Sequence, residues 1–88
     1  METIYQTIVR NILAFRKEAD LSQLALATSA EIALKTLHAI EHANANARLN
    51  TLEKIADALR VPMARLFEGN QHSSSALHLL IELLSQNQ

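Results

Sequence analysis

Residues 21–41 have the sequence LSQLALATSAEIALKTLHAIE, and this stretch decides the fold. Leu21-Ser22 is a typical helix start, because the serine hydroxyl can accept a hydrogen bond from a backbone N–H of the first turn. We expect a short helix from Gln23 to Thr28, a break over residues 29–31, and a further helix from Ile32 to Glu41 with apolar residues at helical spacing. Two short helices separated by a tight break predict a helix-turn-helix arrangement.

Helical patterns continue on both sides of this stretch. Thr3 predicts a capping box with the glutamine three residues later, at the start of a first helix. After the helix-turn-helix, asparagine accumulates and the apolar period stops, so we expect a loop over residues 42–48. Residues 50–53, NTLE, resemble a second capping box for a fourth helix. Pro62 should occupy the first position of a fifth helix, because its fixed φ suits a helix start.

The composition supports a helical domain and excludes several other classes. The 88-residue chain has one glycine, one proline and no cysteine, whereas leucine and alanine, both strong helix formers, are abundant. Because hairpin turns and phosphate-cradling loops depend on glycine, a β-rich fold or a glycine-rich loop is not expected. The lack of cysteine excludes a disulfide framework and a cysteine-ligated zinc site. We therefore expect an all-α fold, with five helices followed by a C-terminal apolar helix.

The chain divides into a domain over residues 1–68, a polar linker over residues 69–75, and a C-terminal helix over residues 76–88. The broad apolar face of the last segment must be buried. We expect it to form a dimer interface, although packing against its own domain is an open alternative. The apolar stripe comprises Leu77, Leu80, Ile81 and Leu84.

No run of about 18 apolar residues is present, so we expect no membrane span. The N-terminus lacks the basic flank and apolar stretch of a signal peptide. The sequence therefore predicts a cytoplasmic protein that does not bind membranes.

Several blocks of the chain, over about residues 8–68, match one known family in order and spacing. The chain resembles the lambda-repressor-like, XRE/Cro-type helix-turn-helix family, which implies a five-helix DNA-binding domain. The matching blocks are Arg16 within FRKEADLSQLALA, Leu21-Ser22-Gln23, Leu26-Ala27, the spacing of Ile32, Leu37, Ile40 and Glu41, and residues 49–59 and 61–68.

The chain also departs from the family pattern. The family commonly has glycine where this chain has Glu31, Ala43 and Arg60, and proline where it has Ala47. Glu31 is compatible with the turn if it takes a left-handed or otherwise permissive conformation, which costs free energy for any residue other than glycine.

The resemblance implies that the third helix contacts DNA bases. The family's base-reading positions correspond to Leu34, Lys35 and Ala39, with Ala33 and His38 adjacent. Lys35 can donate to guanine, whereas Leu34 and Ala39 can make only apolar contacts, for instance with a thymine methyl. A plain surface helix would have a similar sequence, and this alternative stays open.

Phosphate contacts are expected from residues flanking that helix. Gln23 matches the family glutamine that holds the DNA backbone, and it begins a helix whose positive end favours an anion. Asn44, Asn46 and Arg48 lie in the loop after the third helix and could reach phosphates, or could form a solvated loop. Arg16 is expected to pair with an acidic group such as Glu41 and so to join helices.

The charge balance limits the strength of DNA binding. Eight basic and nine acidic residues give a formal net charge of −1. With few phosphates neutralised per subunit, useful affinity for double-stranded DNA would need a homodimer on two half-sites. We expect a dimeric repressor that binds a palindromic operator. The alternative is a protein-interaction module or antitoxin-type protein on the same fold, with a protein partner such as a toxin.

Enzymatic activity is not expected. His38 and His42 are one helical turn apart, but the residues between them do not form the HExxH pattern of zinc enzymes. The serines of residues 73–75 form no nucleophile constellation. We expect no cofactor and no metal.

Overall fold

The computed structural model describes residues 2–42, 47–69 and 81–85. Within these ranges the chain is helical and contains no strand, which confirms the all-α fold. Four α-helices are followed by a short 3₁₀ helix. They are α1 Ile4–Glu18, α2 Gln23–Ala30, α3 Leu34–Glu41, α4 Leu49–Leu59 and the 3₁₀ helix Met63–Phe67.

One hydrophobic core holds the five helices together. Each helix contributes at least one large side chain that is fully buried, as the 3.6-residue period of the apolar positions predicts. These side chains are Ile8, Ile12, Leu26, Leu37, Leu52, Ile55 and Leu66. α2 packs against both α3 and α4, and α3 also packs against α1, so both helices of the helix-turn-helix rest on the rest of the domain.

Two helix starts confirm the sequence-based expectations. Thr3 Oγ1 accepts a hydrogen bond from the Gln6 backbone N–H at 3.1 Å, and Gln6 Oε1 accepts from the Thr3 N–H at 2.8 Å, which completes the capping box. Ser22 Oγ accepts from the Ala25 N–H at 3.0 Å and caps α2. Local side-chain chemistry thus determines where α1 and α2 begin.

Two other expected helix starts are wrong. α4 begins at Leu49 with Arg48 as its N-cap, so Asn50 lies inside the first turn and cannot cap it. Pro62 is the N-cap residue, one position before the 3₁₀ helix, rather than its first residue. The buried Leu49 is the first residue of α4, ahead of Asn50, whereas Pro62 has an extended backbone with ψ 145° and therefore precedes its helix.

The turn between α2 and α3 differs in its bounds from the expectation. α2 continues to Ala30, and α3 begins at Leu34 rather than Ile32. Glu31 ends α2 with φ 57° and ψ 43°, a left-handed conformation. Arg60 ends α4 in the same way with φ 60° and ψ 41°. Both positions, where the resembled family commonly has glycine, therefore hold a residue with a Cβ in the region that glycine prefers.

The 3₁₀ helix is held to α1 by a buried amide. Asn11 Nδ2 donates to the backbone oxygens of Leu66 at 2.8 Å and Glu68 at 2.9 Å. Near this junction Glu2 accepts hydrogen bonds from Arg10 and Thr7, and these bonds hold the pKa of Glu2 below its usual value. Residues of α1 thus fasten the end of the domain to its beginning.

Most of the tail lies outside the described residues, including Leu77, Leu80 and nearly all of the expected linker. Residues 81–85 are helical, and Ile81 and Leu84 are 53% and 49% exposed. The dimer interface and the domain boundaries remain predictions. Among the described helices none has the length and apolar character to cross a membrane.

Replacing Glu31 or Arg60 by glycine should raise the free energy of unfolding by about 0.5–1 kcal/mol at each position. Glycine takes a positive φ without crowding between Cβ and the backbone, so the folded state loses this strain. The strain energy removed exceeds the free energy by which glycine stabilises the unfolded chain through its larger conformational entropy. Urea denaturation followed by circular dichroism measures the change. Glu31→Ala is the control, because alanine keeps the Cβ. An alanine variant as stable as the glycine variant would show that the backbone conformation is not the cause.

Candidate nucleic-acid interface

The outer face of α3 is open to solvent. Its inner face is formed by Leu37, Ile40 and Glu41, which are buried. At about 3.6 residues per turn, Lys35 and Ala39 lie on the opposite side of the helix. Exposed residues of the segment are Ala33, Leu34, Lys35, Thr36 and His38, while Ala39 is half-buried. The core packing therefore leaves one continuous side of α3 available to a ligand.

A buried ion pair fixes α3 against α1 and α2. Arg16 Nε donates to Glu41 Oε2 at 2.9 Å, and Arg16 Nη2 donates to Glu41 Oε1 at 3.2 Å. Arg16 Nη1 also donates to the Leu21 carbonyl oxygen at 2.9 Å, just before α2 begins. The expected pairing of Arg16 with Glu41 is confirmed. Its bidentate geometry gives both strength and a defined orientation.

Gln23 joins the same cluster, which the sequence analysis did not anticipate. Its Nε2 donates to Glu41 Oε1 at 2.8 Å, so a residue of α2 and a residue of α3 share one carboxylate. An amide nitrogen carries two hydrogens, and the second remains available to another acceptor. Gln23 is half-buried and is the first residue of α2, so this second hydrogen is at the positive end of the helix.

An open groove separates α3 from the start of α4. Its volume is about 350 Å³. The lining residues are Lys35, Thr36, Ala39, Ile40, Ala47, Arg48 and Thr51. Neither α3 nor α4 has a side-chain hydrogen bond at its N-cap, Ala33 or Arg48, so backbone N–H groups of both first turns are left for other acceptors. The groove is thus lined by two cations, two hydroxyls and the apolar side chains of Ala39, Ile40 and Ala47.

The charges of this region are sparse but of one sign at the surface. Over the described part of residues 33–52, Lys35 and Arg48 are exposed. Glu41, the acidic residue of this stretch, is buried and neutralised by Arg16. The formal charges of Lys35, Arg48 and Glu41 sum to +1, and this sum understates the positive character of the exposed face because Glu41 is not part of it.

The structure places the described sequence-predicted contact residues on α3, at the start of α2 and across the groove from α3. Ala33, Leu34, Lys35, His38 and Ala39 all belong to α3 or its N-cap, with Gln23 at the start of α2 and Arg48 across the groove. Asn44 and Asn46 lie outside the described residues. Thr36 and Thr51, which line the groove, were not selected from the sequence. They line one groove because of the tertiary arrangement of α3 and α4, which no local sequence pattern indicates.

The two histidines of this region contact each other. Their ring centroids are 4.1 Å apart, and His42 Nδ1 lies 2.8 Å from the His38 carbonyl oxygen. In the described residues no group of three or more metal-binding side chains comes together.

These features define a helix-turn-helix domain, with α2 and α3 as its two helices. A family model described as helix-turn-helix matches residues 12–66. The chain belongs to this lambda-repressor-like, XRE-type family, whose members are DNA-binding regulators. No curated protein and no solved structure matches it.

Replacing Glu41 by alanine should lower the free energy of unfolding by about 3 kcal/mol, because Arg16 is left largely buried without its partner. Urea denaturation provides the measurement. Glu68→Ala is the matched control. It removes the carboxylate of the exposed Arg65–Glu68 pair and should cost about 0.5 kcal/mol or less. Equal losses in the two variants would contradict the importance assigned to the buried cluster.

Proposed function

We propose that this protein is a dimeric, cytoplasmic repressor that binds a palindromic DNA operator and acts by occupying a promoter. The observation that carries the proposal is the outer face of α3. This face is exposed, bears a cation, and is held in a fixed orientation to α2 by the Arg16–Glu41–Gln23 cluster. Such an arrangement fits the docking of a helix-turn-helix, whose second helix lies in the major groove.

Lys35 is the residue best suited to hydrogen-bonded base recognition. It is exposed in the first turn of α3, where helix-turn-helix proteins place their base-contacting residues. Its ammonium group can donate to O6 and N7 of guanine. His38, one turn further along and exposed, can donate or accept at a neighbouring base edge.

Phosphate contacts would flank α3 on two sides. On one side Gln23 offers the second hydrogen of its amide at the positive end of α2. On the other side Arg48 stands at the N-cap of α4, across the groove from Lys35. Asn44 and Asn46 are proposed to extend this second set. Contacts on both sides would fix the register of α3 in the groove.

The Lys35→Ala variant should bind its selected duplex about 10- to 100-fold more weakly, since a donor to base edges is lost. The duplex is first selected from a random pool, and affinity is then measured by fluorescence anisotropy. The plot of log affinity against log salt should have a slope of at most about 4 in magnitude for a dimer with so few exposed cations.

Lys54→Ala is the matched control for Lys35→Ala. Lys54 is also exposed, but it lines a different groove, with Glu31, Asp57 and Arg60. Its loss should leave affinity nearly unchanged. An equal effect of both substitutions would indicate non-specific attraction by charge and contradict base recognition by α3.

The tail is proposed to supply the dimer interface. In residues 81–85, Ile81 and Leu84 expose about half of their side-chain surface, and they continue the stripe that begins at Leu77 and Leu80. Burial of such a stripe against a second copy removes apolar area from water. A dimer would also place two α3 helices on half-sites about 34 Å apart, which compensates for the few cations per subunit.

Replacing Ile81 and Leu84 together by aspartate should convert the dimer into a monomer, because charged groups cannot be buried in an apolar interface. Sedimentation equilibrium measures the mass. Leu24→Asp is the control, because it alters an exposed leucine of α2 that is 61% exposed. A doubly substituted protein that stays dimeric, or a chain truncated after Ser75 that does so, would place the interface elsewhere.

A second candidate function is a protein-interaction module of the antitoxin type. The exposure of Leu24 at 61% and Leu34 at 43% favours it, since an exposed leucine on each helix of the helix-turn-helix suits a protein partner as well. Absence of DNA binding even at low salt, together with a stable complex with a protein such as a toxin, would support this function and contradict the first.

A further inference from the structure

The base-reading face of α3 is poor in hydrogen-bonding groups. Of the five residues proposed for base contacts, Ala33, Leu34 and Ala39 have side chains of carbon and hydrogen only. Leu34 is the large one, and it is 43% exposed at the first position of α3. A single exposed leucine is ordinary on a protein surface. Its position matters here, because the N-terminal residues of the second helix are those that meet base edges.

We propose that Leu34 selects thymine through its 5-methyl group, so that the operator half-site carries a thymine beside the guanine bound by Lys35. This inference rests on the proposed function. In the major groove the thymine methyl is the largest apolar group that a base edge presents; cytosine has only a hydrogen at the same ring position, and the other recognition groups of each base pair are hydrogen-bond donors or acceptors. A leucine placed against those groups would remove water from them without forming a hydrogen bond to replace it.

The surroundings of Leu34 favour DNA over an apolar protein surface as the occupant. Lys35 is adjacent and exposed, and the first turn of α3 has no side-chain cap at Ala33. An apolar partner would bury this cation and these N–H groups without acceptors, which is costly. A DNA groove places a methyl, purine acceptors and phosphate oxygens within a few ångströms of one another.

The test replaces thymine by deoxyuridine, one position at a time, in the duplex selected from a random pool. This exchange removes only the methyl group. Removal of one methyl from one half-site should weaken binding by the wild-type protein about fourfold, and removal of the same methyl from both half-sites should weaken it about 15-fold. Leu34→Ala should bind thymine and deoxyuridine duplexes equally at that position.

Two control variants separate the contact from general effects. Leu34→Met keeps an apolar side chain of similar size and should keep the preference for thymine. Leu24→Ala shortens the exposed leucine of α2 and should also keep it. Circular dichroism confirms that each variant is folded.

Three outcomes would overturn the proposal. If wild-type protein binds every deoxyuridine duplex as well as the thymine duplex, the methyl is not recognised, while DNA binding and the proposed function stand. If Leu34→Ala keeps the full preference, another residue is responsible. If no DNA is bound at low salt, the proposed function fails and this inference fails with it.

Discussion

The geometry of the proposed DNA-binding face depends on the ion pair between Arg16 and Glu41. Apolar contacts of Leu37 and Ile40 hold α3 against the core, but such contacts are not directional. The bidentate pair and the Gln23 hydrogen bond have preferred angles, so they restrict rotation of α3 about its own axis. Taking both charges out of water is expensive. The cost is offset because the Arg16 guanidinium donates hydrogen bonds to the Glu41 carboxylate and to the Leu21 carbonyl oxygen.

The same cluster shows how structural and functional roles overlap in one side chain. Gln23 is a candidate phosphate contact, and it also donates a hydrogen bond to Glu41. A glutamine that donates one hydrogen inward is restrained in its side-chain torsions and loses less entropy when its other hydrogen meets a phosphate. The described residues contain no buried side-chain nitrogen or oxygen without a partner, so the buried polar atoms of the cluster are all satisfied within the protein.

Features of the fold that arise from neighbouring residues could be predicted from the sequence. The capping box at Thr3, the cap at Ser22 and the pairing of Arg16 with Glu41 followed from spacing and from the family pattern. The start of α4 could not be predicted, because residues 50–53 resemble a capping box and only the burial of Leu49 moves the helix earlier. The groove and the link from Gln23 to Glu41 depend on three helices meeting, and neither has a local signal. At Glu31 and Arg60, by contrast, a departure from the family pattern was itself informative. Their mismatch with the family pattern located two left-handed positions that the structure contains.

The small number of exposed cations beside α3 affects how molecules of such a regulator are distributed between non-specific DNA and the free state. Affinity for arbitrary DNA comes from neutralised phosphates, and a genome offers on the order of 10⁶–10⁹ competing sites. As the proposed DNA contacts in the described part of residues 33–52, Lys35 and Arg48 would bind each such site only weakly. Few copies would be stored along the chromosome, and a modest pool of free protein would suffice to fill a specific site. Occupancy would then follow the rate of synthesis and degradation closely, with little buffering by bulk DNA.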